Sequence, residues 1–409
     1  MRLYVSLAAV FATVATSLGS TSAVLDGVFF DPVAQAGTTL GFDSTNPFYW
    51  NNDSEDDAHS GSFILSLAQT QRIWLVGMSQ SPSPAQPLEP GRHDGLIGLV
   101  GLTFNIQAPL DHALAAGWNV GISNAADLGE NFRHALVSPH SAEGPGDCDT
   151  SPTDDCIDIT TPIVTAAAWD IVVKAYQYGT PERPLVIGTG GPLTSIASAY
   201  LLARQYHDLY WPGEAPFEQR VILVAGITQA DSGSLVADYN AAQDALAAFI
   251  CLRRLRVVLA SYDLDAEPTY MDAYIRELLA DPTVSQHPMV QRLEIEREVI
   301  STLLPSGYDL NVIGDIQPVL LFLNPQIGTY FNDMIRVSAA IGSWEDWRFA
   351  YEPSPINWDH AEWVVNFNVI PRGFHWQPDD SSDDIRVSAY DPNVANAIVR
   401  TVFDEALGR

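Results

Sequence analysis

Lysine is all but missing. Lys174 stands alone, so 19 of the 20 basic residues are Arg, and they face 50 Asp and Glu. The formal charge of −30 gives a surface that repels phosphate backbones, which argues against polymeric nucleic acid as a partner. Beyond residues 1–23 no run is long and apolar enough to span a bilayer, so stable membrane insertion is not expected. Internal repeats, basic tracts and low-complexity stretches are also missing. Cysteine is scarce, at three. Cys148 and Cys156 bracket an acidic, Pro-containing loop that a disulfide could close in an exported protein, whereas no His or Cys lies at the spacing a metal pair would need. Cys251, in an apolar context, reads as buried.

What is present points to a folded chain. Apolar residues make up 47% and aromatics 10%, enough for a substantial core, so wholesale disorder is excluded. Residues 1–23 have the order of a secretory signal: Arg2, an apolar stretch, then Ser20-Thr-Ser-Ala23 with a cut after Ala23. Residues 24–409 then parse as one α/β domain, secreted or periplasmic. Short apolar runs at 73–77, 96–102, 184–188, 220–225 and 256–260 read as strands. Amphipathic stretches at 162–178, 193–206 and 241–252 read as helices. Their alternation predicts an open, mostly parallel sheet with helices on both faces, where ligands bind beyond the carboxyl ends of the strands. Residues 79–92 and 138–162 interrupt the rhythm as inserted loops, of the kind that cover pockets and set substrate choice.

Four stretches carry polar chemistry. The first, Tyr49-Trp-Asn-Asn-Asp-Ser-Glu-Asp-Asp-Ala-His-Ser60, falls between a strand and a helix. Its carboxylates repel one another unless a hard cation joins them; the other reading is a solvated acidic helix start. The second, Gly188-Thr-Gly-Gly-Pro-Leu-Thr-Ser-Ile-Ala197, is a Gly-rich turn after a strand, but it lacks the third glycine of a dinucleotide fingerprint. The third is Ala237-Asp-Tyr-Asn240 followed by Asp244, and the fourth is Asn357-Trp-Asp-His360.

In this order the stretches resemble the nucleoside hydrolases, the calcium-dependent N-ribohydrolases of the inosine-uridine type. Asp56-Asp57-Ala58 match the end of that family's Asp-x-Asp-x-Gly-x-Asp-Asp-Ala opening. Gly191-Pro-Leu-Thr-Ser-Ile-Ala197 matches its Gly-Pro-Leu-Thr-Asn-Ile-Ala. Ala237-Asp-Tyr-Asn240 parallels its Ala-Glu-Phe-Asn, residues 257–265 its strand and Leu-Asp-Val-Thr, and Trp358-Asp359 its late His-Asp or Trp-Asp. The resemblance implies a Rossmann-like core and one Ca2+. The ion would be held by Asp57, the main-chain carbonyl of Thr194, Asp359 and an oxygen of Asn52. It also implies ribose contacts from Asp56, Asp238, Asn240 and Ser232, with Trp358 stacked on a purine. The partner would be a small nucleoside or related glycoside; self-association stays open.

Departures from the family are equally informative. Counting back from Asp56-Asp57 puts Asn52 at the family's general-base Asp and Trp50 at the Asp before it. Asn offers an oxygen to a cation but takes no proton. A one-residue deletion would instead put Asp53 there, and both assignments stand. A leaving-group acid among His59, His134, His140 and His360 is one reading; structural or surface histidine is the other. Trp118 divides in the same way between a stacking ring and core packing. Alternatives to the ribohydrolase are a binding protein that has lost catalysis through Asn52, a hydrolase of another glycoside, and an acidic structural protein.

Overall fold

The computed structural model describes residues 40–52, 59–81, 106–126, 160–226, 245–260, 271–303, 315–323, 331–341, 374–378, 385–390 and 392–409. These build one eight-stranded sheet. Its strands are β1 (Pro47–Asn52), β2 (Trp74–Gln80), β3 (Leu185–Thr189), β4 (Val221–Ala225), β5 (Arg256–Ala260), β6 (Phe331–Ile341), β7 (Phe374–Pro378) and β8 (Ile385–Tyr390). The spatial order is β2-β1-β3-β4-β5-β8-β6-β7. The first six strands in that order pair in parallel, and β6 and β7 close the far side antiparallel. The expected open, mostly parallel sheet is therefore observed.

Each central strand reads as a nearly unbroken apolar run because both of its faces are covered. On one face Phe48, Trp50, Val186, Ile222 and Val258 join a core built with α1 (Ser60–Gln69), α2 (Gln107–Ala115), α7 (Met271–Ala280), α8 (Pro288–Leu303), α9 (Gln317–Leu323) and α10 (Pro392–Leu407). On the other, Tyr49, Ile187, Leu223 and Val257 pack with α3 (Ala166–Tyr178), α4 (Thr194–Tyr210) and α6 (Ala245–Arg254). Cys251 is buried in this second core, as its setting predicts, and Trp118 belongs to the first, as core packing rather than a stacking ring.

Several boundaries differ from the sequence reading for local reasons. β2 runs on to Gln80, because Ser79 and Gln80 pair with Asn51 and Asn52 instead of opening a loop. α3 starts at Ala166, not 162, since Thr165 Oγ1 accepts from the Ala168 amide and sets the cap. Arg220 is not in a strand. It ends the short helix α5 (Phe217–Arg220), and its guanidinium donates to the carbonyls of Gly179 and Ala215 at 2.7 and 2.8 Å. The strand expected at 96–102 and most of both inserted loops lie outside the described residues.

Phe322 of α9 joins the first core to the sheet. Its ring lies 5.9 Å from that of Phe42 and 4.7 Å from that of Phe48, and it is fully buried. Phe322→Ala is expected to cost about 3–5 kcal/mol by leaving a cavity under β1, read as the denaturant midpoint at unchanged slope.

An ion-pair network ties α7, α8 and α10 together. Hydrogen bonds from Arg276, Arg400 and Thr283 hold Asp272, Glu277 and Asp281, respectively, below the usual carboxylate range. Carboxyls depressed in this way contribute stability that is present above their unfolded pKa and lost as pH falls through the folded one. Asp170, raised by burial beneath Tyr49, has the opposite sign, and its contribution is lost as pH rises. Stability should therefore fall between about pH 5 and pH 3, and Glu277→Gln should flatten that fall, as urea midpoints taken across the range would record.

Candidate functional site

The chemistry gathers where β1 and β3 end side by side. Their register pairs Trp50 with Gly188 and Asn51 with Thr189, so Asn52 and Gly190 are each one residue past the last pair. Parallel neighbours lie about 4.8 Å apart, which makes these two positions adjacent at the carboxyl edge.

Asn51 and Asn52 are buried polar residues in a strand that is otherwise apolar, and successive residues face opposite sides of the sheet. Asn51 is fully engaged. Its Nδ2 donates to Ser79 Oγ at 2.7 Å, and its Oδ1 accepts from Ser81 Oγ at 2.5 Å and from Thr189 Oγ1 at 3.4 Å. Ser81 Oγ also reaches the Pro192 carbonyl at 2.9 Å, pinning the Gly-rich turn. Asn52 differs. Its Nδ2 donates to Ser60 Oγ at 3.3 Å, while its buried Oδ1 has no partner.

Gly190 is bare for a steric reason. A Cβ there would fall 2.2 Å from Asp315 Cγ and 2.5 Å from one of its carboxylate oxygens. Asp315 is 9% exposed and adopts a left-handed backbone with φ of 56°, a conformation that disfavours a side chain. α9 starts two residues later and sets the carboxylate over the end of β3. The sequence reading passed over Asp315. The available signal was a Gly-Asp pair before Pro318 and an apolar helix, directly ahead of a buried segment.

Five other buried polar atoms without partners belong to the same stretches: the Trp50 indole nitrogen, His59 Nε2, Ser195 Oγ and both amide atoms of Gln317; the Tyr176 hydroxyl and Asn396 Oδ1 are further ones elsewhere. Buried polar groups are ordinarily satisfied, so such atoms together at strand ends and helix starts make this edge the candidate site.

Of the residues expected from sequence, the structure brings Asn52 and Thr194 to this edge. Thr194 is buried at the first position of α4, four residues beyond Gly190. Asp53, Asp56, Asp57, Ser232, Asp238, Asn240, Trp358 and Asp359 lie outside the described residues, as do Cys148, Cys156, His134, His140 and His360. Among the described residues no three His, Cys, Asp or Glu side chains form a metal site by themselves. The donor types do suit a hard divalent cation: an orphaned amide oxygen and a carboxylate stand at the ends of two adjacent strands, with the acidic stretch following Asn52 directly.

No protein-family model and no curated protein matches the chain. Among solved structures it is similar to a purine-preferring ribonucleoside hydrolase from Gardnerella vaginalis, at 14% identity and a TM-score of 0.49 over 89% of this chain and 100% of that one. It is also similar to the plant nucleoside hydrolase PpNRh1, at 14% identity and a TM-score of 0.47 over 88% and 98%. A third is the type III effector protein XopQ complexed with adenosine diphosphate ribose, at 12% identity and a TM-score of 0.42 over 92% and 100%.

The close approach at Gly190 gives a direct test. Gly190→Ala must push the Asp315 carboxylate aside, at an expected cost of about 1–3 kcal/mol, measured by denaturant unfolding.

Proposed function

We propose that the chain is an exported, calcium-dependent hydrolase of the nucleoside hydrolase family, cleaving the N-glycosidic bond of ribonucleosides with a preference for purines. The observation that carries this reading is the juxtaposition of Asn52, with its orphaned buried oxygen, and Asp315, packed on Gly190, at adjacent strand ends. Two of the motif stretches that resemble the family, the acidic stretch after Asn52 and Gly191-Pro-Leu-Thr194, issue from those same two strand ends.

Asn52 Oδ1, Asp57 and the Thr194 carbonyl would hold the ion. Asp315 is the late carboxylate we favour over Asp359, because it stands at the strand edge. When bound, calcium would orient two vicinal ribose hydroxyls and lower the pKa of a water molecule. Asp56, Asp238, Asn240 and Ser232 would fix the sugar, whose cationic character in the transition state nearby carboxylates stabilise. Trp358 would stack on the base. Asn52 cannot accept the proton of the attacking water, so Asp53 is the base we assign.

A second reading rests on that same Asn52: a pocket that holds cation and nucleoside without cutting. Ribose release from inosine, guanosine, adenosine and uridine, with calcium and after chelation, separates the two. Calcium-dependent release is expected, and Asn52→Asp should then change the rate only a few-fold. No release, with calcium and nucleoside still raising the melting temperature, would establish the binder. Asn52→Asp should in that case restore catalysis by about 10²–10⁴.

A further inference from the structure

Behind the site lies a buried charged cluster that the hydrolytic reading leaves unused. Arg292 and Glu296 sit one turn apart on α8, 2% and 0% exposed, with Arg292 Nε donating to Glu296 Oε1 at 2.6 Å. Glu296 also reaches across to α1. Its Oε2 is 2.9 Å from His59 Nδ1, and Ser62 Oγ donates to both of its oxygens at 3.3 and 3.5 Å. His59 is fully buried, and its Nε2 has no partner.

Stability alone does not account for such a pair. Replacing a buried ion pair with apolar residues of similar volume is often neutral or stabilising, because desolvation offsets the attraction. Nor does α1 supply its own start, since His59 is its N-cap residue and makes no side-chain capping bond. Glu296, on another helix, instead holds the side chains of His59 and Ser62 at that end of α1. The grip falls where it matters. Residues 53–58, with four carboxylates among six positions, are strung between Asn52 and His59. Asn52 is tied to the same turn through Ser60 and is held on its other side by the Ser81 amide, which donates to its carbonyl at 2.8 Å. Neighbouring carboxylates in one stretch of sequence repel one another, and Glu296 holds the residue at which that stretch enters α1.

We propose that Arg292 and Glu296 are positioning residues. They lock His59, with its Nδ1 proton directed at the Glu296 carboxylate, and so fix the first turn of α1 from which the acidic stretch must reach the cation. The metal-dependent part of this inference rests on the function proposed above; the anchoring itself does not.

Two double variants isolate the anchor, Arg292→Met/Glu296→Gln and Arg292→Met/Glu296→Leu. Both lack the buried charges, and only the first can still accept from His59 and Ser62. Their melting temperatures are expected to agree within a few degrees. Without calcium, the amides of residues 60–63 should exchange with solvent about tenfold faster in the leucine variant. Its calcium affinity by calorimetry should be about 10–100-fold weaker than that of the glutamine variant. Equal exchange in the two variants would overturn the proposal. If the parent protein binds no calcium, the calcium reading fails, and the exchange ratio alone decides the anchoring. Should the leucine variant not fold, His59→Leu, which leaves the Arg292–Glu296 pair intact and offers no donor to Glu296, must show the same acceleration; unchanged exchange there would equally overturn it.

Discussion

The pairing of β1 with β3 is the constraint from which the rest of the site follows. Both strands are covered on two faces, and burial leaves no room for polar side chains until the strands run out. Their register brings the two ends level, so Asn52 meets Gly190. A one-residue slip would turn Phe48 and Trp50 into the wrong core and carry Asn52 to the opposite face, away from α1. The apolar packing therefore fixes the polar geometry, and Phe322, its ring tilted against that of Phe48, holds both to α9 and thence to Asp315.

The two asparagines at the end of β1 divide between structure and the proposed binding role. Asn51 spends its hydrogen-bonding capacity on Ser79, Ser81 and Thr189, closing β2, β1 and β3 into a rigid edge. Asn52, one residue on and facing the other way, keeps an oxygen unspent. A buried acceptor left open costs free energy in the unliganded protein, which a cation or ligand hydroxyl would return on binding.

Most of the parallel sheet was legible in the sequence, because strands buried on both faces read as short apolar runs between amphipathic stretches. The position of the acidic motif between a strand and a helix was legible for the same reason. Asp315 was not, since its only local signal is a Gly-Asp pair ahead of Pro318 and an apolar helix, and what sets it apart is its approach to Gly190 in space. The His59–Glu296 contact spans 237 residues and joins two helices of ordinary composition, so nothing local announces it. The antiparallel strands β6 and β7 and the parallel strand β8 also escaped.

Asn52 separates two demands that a single carboxylate would meet together. Holding a hard cation takes oxygens at fixed positions, and an amide oxygen serves nearly as well as a carboxylate. Activating water takes a group that accepts a proton, and the amide has none to offer at ordinary pH. With Asn at residue 52 and Asp at residue 53, the proposed function would divide cation binding and proton transfer between neighbouring residues: one is the buried end of a strand, the other the first residue of the acidic stretch. On that reading binding would persist without catalysis, and the proposed anchoring of α1 by Glu296 would support it in either case.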